Sequence, residues 1–303
     1  MSGTSGDTVR TSAATPASTS AATPASASAA TPTSASAATP ADQPTAAPRP
    51  GRTPPRVVSL VPSLTEAVAF SVPGALVGAT DWCSRPADLD VVRVGGTKNP
   101  DVGRIVRLAP DLVVANEEEN REPDLTALRE AGIEVLVTEV RDVPGALREL
   151  ARVLDACRPG TRPRWLDEAE AAWTELPEPA RRTTAIVPIW RRPWMVLGRD
   201  TFAGDVLARL GVDNAYAGHA DRYPRVPLPD LRAAAADLVV LPDEPYRFTA
   251  DDGPEAFEGL PCALVDGRML TWYGPSLAEA PAVLSAALRA AWDGASRGLA
   301  EEG

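Results

Sequence analysis

The chain has 303 residues, 44% of them hydrophobic, and a formal net charge of −11. This acidic balance argues against nucleic acid as a partner, because phosphate backbones attract basic surfaces. No apolar run reaches the length of about 20 residues that a transmembrane helix needs, so none is predicted. The cysteines, Cys83, Cys157 and Cys262, are too few and too scattered to indicate a disulfide framework.

Residues 1–54 consist almost wholly of Ala, Ser, Thr, Pro and Gly, with an octapeptide register that starts at Ser12. Such a composition cannot bury enough apolar surface to offset chain entropy, so we predict a disordered tail. It is a plain tail, the product of a misassigned upstream start, or a glycosylated or wall-spanning stalk. No apolar segment follows Arg10, so the chain as written predicts a cytoplasmic location, and a wrong start would make it extracytoplasmic.

The first structured half begins with a compact apolar run, 56–61, that predicts a buried strand. Ser63 and Glu66 have the spacing of a capping box, which would start a helix that runs through Phe70. The pattern then predicts a strand at 76–80, a helix at 102–108, a strand at 111–115, a helix at 123–131, a strand at 134–138 and a helix at 143–156.

A helical pattern at 162–176 separates the two halves and predicts one long linking helix that acts as a stiff hinge. The second half then predicts strands at 184–189 and 194–197, helices at 202–210 and 228–235, strands at 237–241 and 262–265, and a helix at 277–292. The predicted boundaries are a lobe at 55–158, a linker at 159–180, a lobe at 181–295 and a tail at 296–303.

One pattern occurs in both halves. Residues 109–118 and 235–244 each form an apolar run that contains Asp-Leu-Val-Val and ends in an acidic turn. The repeat predicts an α/β fold of two lobes with parallel sheets covered by helices, and a ligand cleft between them at the carboxyl ends of the strands. In this register the turn at 117–118 is expected opposite the turn at 243–244.

Tryptophan usage is the second signal, since the chain has seven Trp although aromatic residues make up only 5% of it. Trp82, Trp190, Trp194 and Trp272 fall in or beside predicted loops, where they are either packed loop anchors or flat walls for a large, rigid ligand. The polar turns near the strand ends are either a solvated acidic rim or a set of polar contacts to that ligand. The complete set of predicted ligand contacts is Ser63, Trp82, Thr97, Lys98, Asn99, Asn116, Glu117, Glu118, Trp190, Arg191, Trp194, Asp243, Glu244, Tyr246, Trp272 and Tyr273.

Catalytic and metal sites are not indicated. The single histidine, His219, has no Cys or second His at ligand spacing and is predicted to be a surface residue. Ser63 lies at a strand-to-helix turn but has no base beside it, so it is not predicted to be a nucleophile. We therefore expect neither an enzyme nor an intrinsic cofactor or metal.

Several segments resemble the helical-backbone metal receptors, the class III solute-binding proteins for cobalamin, siderophores and haem that serve ABC importers. The resemblance covers about residues 56–292 and is carried by five segments: 56–66, 77–81, 96–100, 108–114 and 270–275. It is nearest to the cobalamin-binding branch, whose cleft aromatics correspond to Trp82, Trp190 and Trp272, while Thr97 and Asn116 replace two others. It implies a shallow inter-lobe cleft and limited closure on ligand.

The same branch docks on its permease through one glutamate on each lobe, and the resemblance places Gly103 and Gly274 at those positions. Without both charges the paired contacts that orient docking would be lost. Together with the missing export signal, this loss suggests a binding protein detached from the usual importer role. From the repeat, the tryptophans and the resemblance we expect a monomer that binds cobalamin, another corrinoid or an iron chelate. The alternatives are a cytosolic ligand sensor or carrier not coupled to an importer, and an enzyme acting in the cleft.

Overall fold

The computed structural model describes residues 54–301, with side-chain detail as far as residue 293. The predicted disordered tail and its octapeptide register therefore lie outside the described residues. Among the residues described, no helix is both long and apolar enough to cross a membrane.

The first lobe is built on a parallel sheet of five strands in the order β3-β2-β1-β4-β5. The strands are β1 (Val57–Ser59), β2 (Leu76–Ala79), β3 (Val92–Arg93), β4 (Leu112–Asn116) and β5 (Glu134–Thr138). The helices of this lobe are α1 (Pro62–Ser71), α2 (Val102–Leu108), α3 (Glu122–Glu130) and α4 (Val143–Cys157). All residues of β1 and β4 are buried, as expected for strands of a parallel sheet that is covered on both faces.

Helix α5 (Arg164–Thr174) connects the two lobes and is shorter than the predicted span of 162–176. Its 11 residues extend over about 16 Å. The Trp165 indole donates to Ser71 Oγ at 3.0 Å in the first lobe, and the Trp173 indole donates to the Leu277 carbonyl at 2.9 Å in the second. The linking helix is therefore fastened to both lobes.

The second lobe has a parallel sheet of four strands in the order β11-β10-β6-β9, and an antiparallel hairpin of β7 and β8. The strands are β6 (Thr183–Ile186), β7 (Pro188–Arg191), β8 (Trp194–Val196), β9 (Val212–Asn214), β10 (Leu238–Pro242) and β11 (Cys262–Val265). The helices are α6 (Phe202–Arg209), α7 (Leu228–Ala233), α8 (Gly267–Thr271) and α9 (Ala280–Glu301).

The repeated sequence pattern corresponds to a repeated strand arrangement. β4 lies between β1 and β5, and β10 lies between β6 and β11, so each copy of the pattern forms the same inner strand of its sheet. The predicted two-lobed α/β fold with parallel sheets is confirmed.

The predicted capping box is wrong. Val61 is the N-cap of α1 and receives no side-chain cap, while Pro62 begins the helix and Ser63 lies buried in its first turn. Glu66 lies in the second turn of the helix and forms an ion pair with Arg268 of the second lobe. Because the helix begins before Ser63, Ser63 and Glu66 do not occupy the N-cap and N3 positions that a capping box requires.

Other differences concern short elements. The predicted strand 184–189 is interrupted at Val187, so β6 enters the sheet and β7 leaves it as a hairpin. The short strands β3 and β9 and the short helix α8 are not predicted from the sequence. Helix α9 continues to Glu301, beyond the predicted end at Trp292 and into the predicted tail.

Candidate ligand-binding site

Contacts between the lobes show that the carboxyl edges of the two sheets face each other. The Tyr223 hydroxyl, in the loop after β9, donates to Glu118 Oε2 at 3.0 Å, just beyond the end of β4. The Tyr273 hydroxyl is hydrogen-bonded to the side chains of Ser63 and Thr138. The space bounded by the loops at these edges is called here the inter-lobe cleft.

Exposed aromatic rings are present in both lobes, in segments that follow strands of the two parallel sheets. Trp82 follows β2 and is 68% exposed, Trp190 lies in β7 and is 43% exposed, and Tyr223 is 36% exposed. Trp190 also makes an edge contact with the Tyr246 ring at 5.6 Å. Because parallel sheets bind ligands at the carboxyl ends of their strands, these exposed rings form a candidate contact surface. These three residues are called the aromatic rim.

Trp272 and Glu244 form a polar–aromatic pair in the second lobe. The half-buried Trp272 indole is hydrogen-bonded to the Glu244 carboxylate. Burial raises the pKa of Glu244, the nearby Asp243 raises it further, and the Trp272 bond and Arg85 of the first lobe oppose the shift. The Asp243 carboxylate accepts from the Gly267 amide at 2.6 Å, which fixes the turn to the start of α8.

The Asn116 side chain is occupied by internal hydrogen bonds. Its Nδ2 donates to the Thr138 carbonyl and hydroxyl, and its Oδ1 accepts from the amides of Glu118 and Glu119. An amide side chain has no further strong hydrogen-bonding capacity beyond these four contacts. Asn116 therefore holds the acidic turn in shape, and its predicted contact with a ligand stays a prediction.

The acidic turn at residues 117–118 contacts a basic and an aromatic residue of the second lobe, Arg222 and Tyr223, whereas the predicted partner was the acidic turn at residues 243–244. Arg222 Nη1 is paired with Glu118 and lies 3.6 Å from Glu117 Oε1, while Tyr223 donates to the same Glu118 carboxylate. Glu117 is also paired with Arg141 at 2.8 Å. The expectation that residues 117–118 lie opposite residues 243–244 is corrected, because opposite charges meet here. The Glu117, Glu118, Arg222 and Tyr223 contact is called the inter-lobe bridge.

Sequence reasoning missed Arg222 and Tyr223. Their loop follows β9, a strand of three residues with no detectable alternation, so nothing in the pattern marks this loop as a strand-end loop. The one available signal is a charged residue beside an aromatic one in a predicted loop.

Two predicted contacts pack inside the second lobe instead of facing the cleft. Arg191 is paired with Asp252 and Glu255 and lies 5.5 Å above the Trp194 ring. Trp194 is stacked on Phe248 with a centroid separation of 6.1 Å. The arginine charge and the indole face both have partners in their own lobe, and their predicted contact with a ligand stays a prediction.

The remaining predicted ligand contacts make hydrogen bonds to nearby loops. Lys98 and Asn99 are exposed, and Lys98 donates to the Glu118 carbonyl, which ties the turn after β3 to the acidic turn. The Thr97 carbonyl accepts from Asn120 at 3.0 Å. Tyr246 donates to Asp252 at 2.7 Å. The structure thus brings together the turns after β3 and β4 of the first lobe, whereas the Tyr246 hydroxyl is bonded within the second lobe.

Ser63 and Tyr273 are buried where the lobes join. Burial raises the pKa of the Tyr273 hydroxyl, and its hydrogen bonds to Ser63 and Thr138 oppose that shift. A buried, hydrogen-bonded hydroxyl pair stabilises the lobe orientation, and the predicted contact of these two residues with a ligand stays a prediction.

The two positions aligned with docking charges differ in exposure. Gly103 is exposed near the start of α2, but Gly274 is buried, and a Cβ there would lie 3.3 Å from the Ser63 carbonyl oxygen. Position 274 therefore lies on no free surface, and its expected role as a docking position is corrected.

His219 is half-buried and accepts from the Asp221 amide at 3.0 Å, so it supports its own loop. In the part of the chain that the structure describes, no cluster of three or more His, Cys, Asp and Glu side chains is placed to hold a metal ion.

Comparisons with known proteins agree with this architecture. A sequence profile of the periplasmic binding protein family matches residues 57–258. The vitamin B12-binding protein of Salmonella typhi is 26% identical over 200 residues, covering 62% of this chain and 72% of the relative. That of Pectobacterium carotovorum subsp. carotovorum (strain PC1) is 22% identical over 214 residues, covering 65% and 74% respectively.

Two solved structures illustrate the similarity in fold. The periplasmic vitamin B12 binding protein BtuF of Vibrio cholerae has a TM-score of 0.62 at 16% identity, covering 79% of this chain and 98% of that one. The periplasmic heme-binding protein BhuT, in complex with two hemes, has a TM-score of 0.64 at 25% identity, covering 78% and 98%.

Proposed function

The chain belongs to the periplasmic binding protein family, and we propose that it binds a corrinoid in the inter-lobe cleft. The observation that carries this proposal is the aromatic rim, in which indole rings from opposite lobes are left in water, Trp82 in the loop after β2 and Trp190 in the β7–β8 hairpin that follows β6. Flat rings on both sides suit a broad, rigid macrocycle, whose faces are apolar and whose periphery is polar. The vitamin B12-binding relatives support the same ligand class.

The charges near the cleft favour a corrinoid over haem. Carboxylates at Glu119 and Glu244 are partly desolvated, and burial raises the pKa of both. Such groups accept hydrogen bonds from the amide side chains that surround a corrin ring, whereas they repel the propionates of haem. Haem is the second candidate, supported by the similarity to a heme-binding protein and by the exposed, cationic Arg85.

The test is a titration of the purified chain with hydroxocobalamin and, separately, with haemin, followed by tryptophan fluorescence. Corrinoid binding is expected to quench emission with saturation in the micromolar range or below, at lower concentration than haemin. A W82A/W190A variant should show weaker quenching and a lower affinity. No saturable quenching by hydroxocobalamin, from protein with a native circular dichroism spectrum, would reject the corrinoid assignment.

We propose an ABC permease as the partner, since the family serves importers. Because Gly274 is buried, the lack of a glutamate there says nothing about docking, and only the exposed Gly103 still bears on it. Co-purification of the chain with an ABC permease from membranes of its own host would support this partner. Capture of the chain by a corrinoid-handling enzyme instead would favour a carrier that is not coupled to an importer. The cellular location of the protein stays a prediction.

A further inference from the structure

An ion pair that is almost fully enclosed joins the two lobes beside Trp272. Glu66 of α1 and Arg268 of α8 are 202 residues apart in sequence, and their side chains are 3% and 19% exposed. Arg268 Nη2 donates to Glu66 Oε1 at 2.6 Å, and Arg268 Nε donates to Oε2 at 3.2 Å. This two-bond geometry fixes the guanidinium plane as well as its position.

The fixed guanidinium of Arg268 lies over one face of the Trp272 ring. Its central carbon lies 6.0 Å from the ring centroid, within the range of a cation–π contact. The edge of the same indole is hydrogen-bonded to Glu244. The ring is therefore held on one face and at one edge, and the contact on its face comes from a guanidinium that Glu66 fixes.

The segment that follows Trp272 is anchored on the same helix. Tyr273 is hydrogen-bonded to Ser63, and Gly274 lies so close to α1 that a Cβ would be 3.3 Å from the Ser63 carbonyl oxygen. The backbone on the C-terminal side of the indole cannot move without breaking contacts to the first lobe. Glu66 thus acts on a second-lobe ring from across the lobe boundary.

We propose that Glu66 and Arg268 are positioning residues that hold Trp272 in the orientation in which it contacts the ligand. The ligand part of this inference rests on the proposed function, while the orientation part stands on the ligand-free protein. Removing the pair would leave the backbone fold in place but free the indole to turn.

The first test uses the full chain without ligand and records the indole N–H resonances by ¹H–¹⁵N NMR. The Trp272 resonance is assigned by its loss in W272F. In R268M this resonance is expected to shift and to exchange with water about fivefold faster, which corresponds to the loss of about one hydrogen bond. The Trp173 resonance, whose indole donates to the Leu277 carbonyl, should stay unchanged.

Removing one partner of an enclosed ion pair strands the other charge, so R268M alone could unfold. The E66Q/R268M variant removes both charges and is measured in parallel. R268K keeps the charge but not the planar two-bond fork, so it should restore the Trp272 resonance only in part. An unchanged Trp272 resonance in the folded double variant would overturn the proposal.

The second test is a double-mutant cycle on hydroxocobalamin affinity with R268M, W272A and their combination. R268M is expected to weaken binding about tenfold in the native background and less than about twofold in the W272A background. S71A, which removes the Trp165 hydrogen bond between α1 and α5, is the control and should leave affinity unchanged. Equal losses in both backgrounds would overturn the positioning role. Failure of the native chain to bind any corrinoid would instead reject the proposed function. The NMR result alone would then decide whether Glu66 and Arg268 orient Trp272.

Discussion

Burial divides the tryptophans of this chain into two groups with different chemistry. Trp173 and Trp194 are packed, and the Trp173 indole N–H has an internal acceptor, as buried indoles require. Trp82 and Trp190 keep a large part of their ring in water. An exposed indole contributes little to folding, so its energetic value lies in what it can bury on binding.

The aromatic rim should therefore affect binding without affecting stability. W82A and W190A are each expected to lower hydroxocobalamin affinity about five- to thirtyfold, which corresponds to about 1–2 kcal/mol of binding free energy from ring surface buried against the ligand. Isothermal titration calorimetry gives the affinity, and urea unfolding should give an unchanged free energy of unfolding. W194A is the matched control and should lower the free energy of unfolding while leaving affinity near native. An affinity loss in W194A equal to that in W82A would argue against the rim.

Glu244 makes stability depend on pH in a defined direction. Burial raises its pKa in the folded state above the unfolded value, so the folded state binds the proton more tightly between the two values. Its contribution to stability is therefore present at low pH and is lost as pH rises through that window. E244Q keeps an acceptor for Trp272 and stays neutral, so it should match the native chain near pH 4 and exceed its stability near pH 7.5.

Urea unfolding at the two pH values measures this effect. E130Q, at an exposed position on α3, controls for the loss of one negative charge. Equal stability of E244Q and the native chain at both pH values would show that the Glu244 carboxylate is adequately solvated or paired.

At the scale of elements, the loops at the carboxyl edges carry the site, and internal hydrogen bonds give them their shape. The acidic turn after β4 is held by Asn116 and Asn120, and Asn120 also reaches the Leu60 carbonyl of the neighbouring strand end. A turn held this firmly presents Glu118 at a fixed place. Arg222 is held in turn by its bond to the Asp200 carbonyl and by the bond from the Gly198 amide to its own carbonyl, so the inter-lobe bridge joins two loops that are each fixed within their lobe.

The inter-lobe bridge should slow ligand entry. E118Q removes the charge facing Arg222 but keeps an acceptor for Tyr223, so we expect ligand association about two- to fivefold faster, the range of a partly exposed ion pair. Stopped-flow fluorescence with hydroxocobalamin measures the rate, and added salt should accelerate the native chain more than E118Q. E122Q breaks the exposed pair with Arg129 on α3 and is the matched control. Identical rates for E118Q and E122Q would remove the bridge from the binding pathway.

At the scale of the whole molecule, one apolar core crosses the lobe boundary. The same packed cluster contains Val57 of β1, Leu150 of α4, Trp173 of α5, Leu207 of α6 and Leu284 of α9. Neither lobe can bury its share of this cluster alone. The enclosed ion pair between Glu66 and Arg268 adds a polar contact at the same boundary.

The two lobes should consequently unfold together. Urea unfolding followed by tryptophan fluorescence and by far-ultraviolet circular dichroism is expected to give coincident, single transitions. W173A should lower the stability of the whole molecule by about 3–5 kcal/mol, the usual cost of removing a buried large aromatic side chain. Two separated transitions, with W173A shifting only one, would show that the lobes fold independently.

Much of the fold is local in origin and was predictable. Strands β5 and β11 and helix α2 match their predicted bounds, because an apolar run or a periodic face sets each one, and Asp101 caps α2 by bonding the Arg104 amide. The repeated inner strands of the two sheets were predictable for the same reason. For Trp82 and Trp190 the sequence left two alternatives, packed loop anchors or flat walls for a ligand. The structure shows that both rings are exposed.

By itself the sequence determined the two lobes, their parallel strands and the facing edges where a ligand would bind, since apolar periodicity and turn chemistry are properties of neighbouring residues. Only the tertiary structure decided which charges meet. Glu118 pairs with Arg222 and Tyr223, about a hundred residues away. Glu66 pairs with Arg268, 202 residues away. Such pairings follow from the packing of whole lobes, because an ion pair in a partly desolvated boundary forms wherever the fold brings opposite charges together.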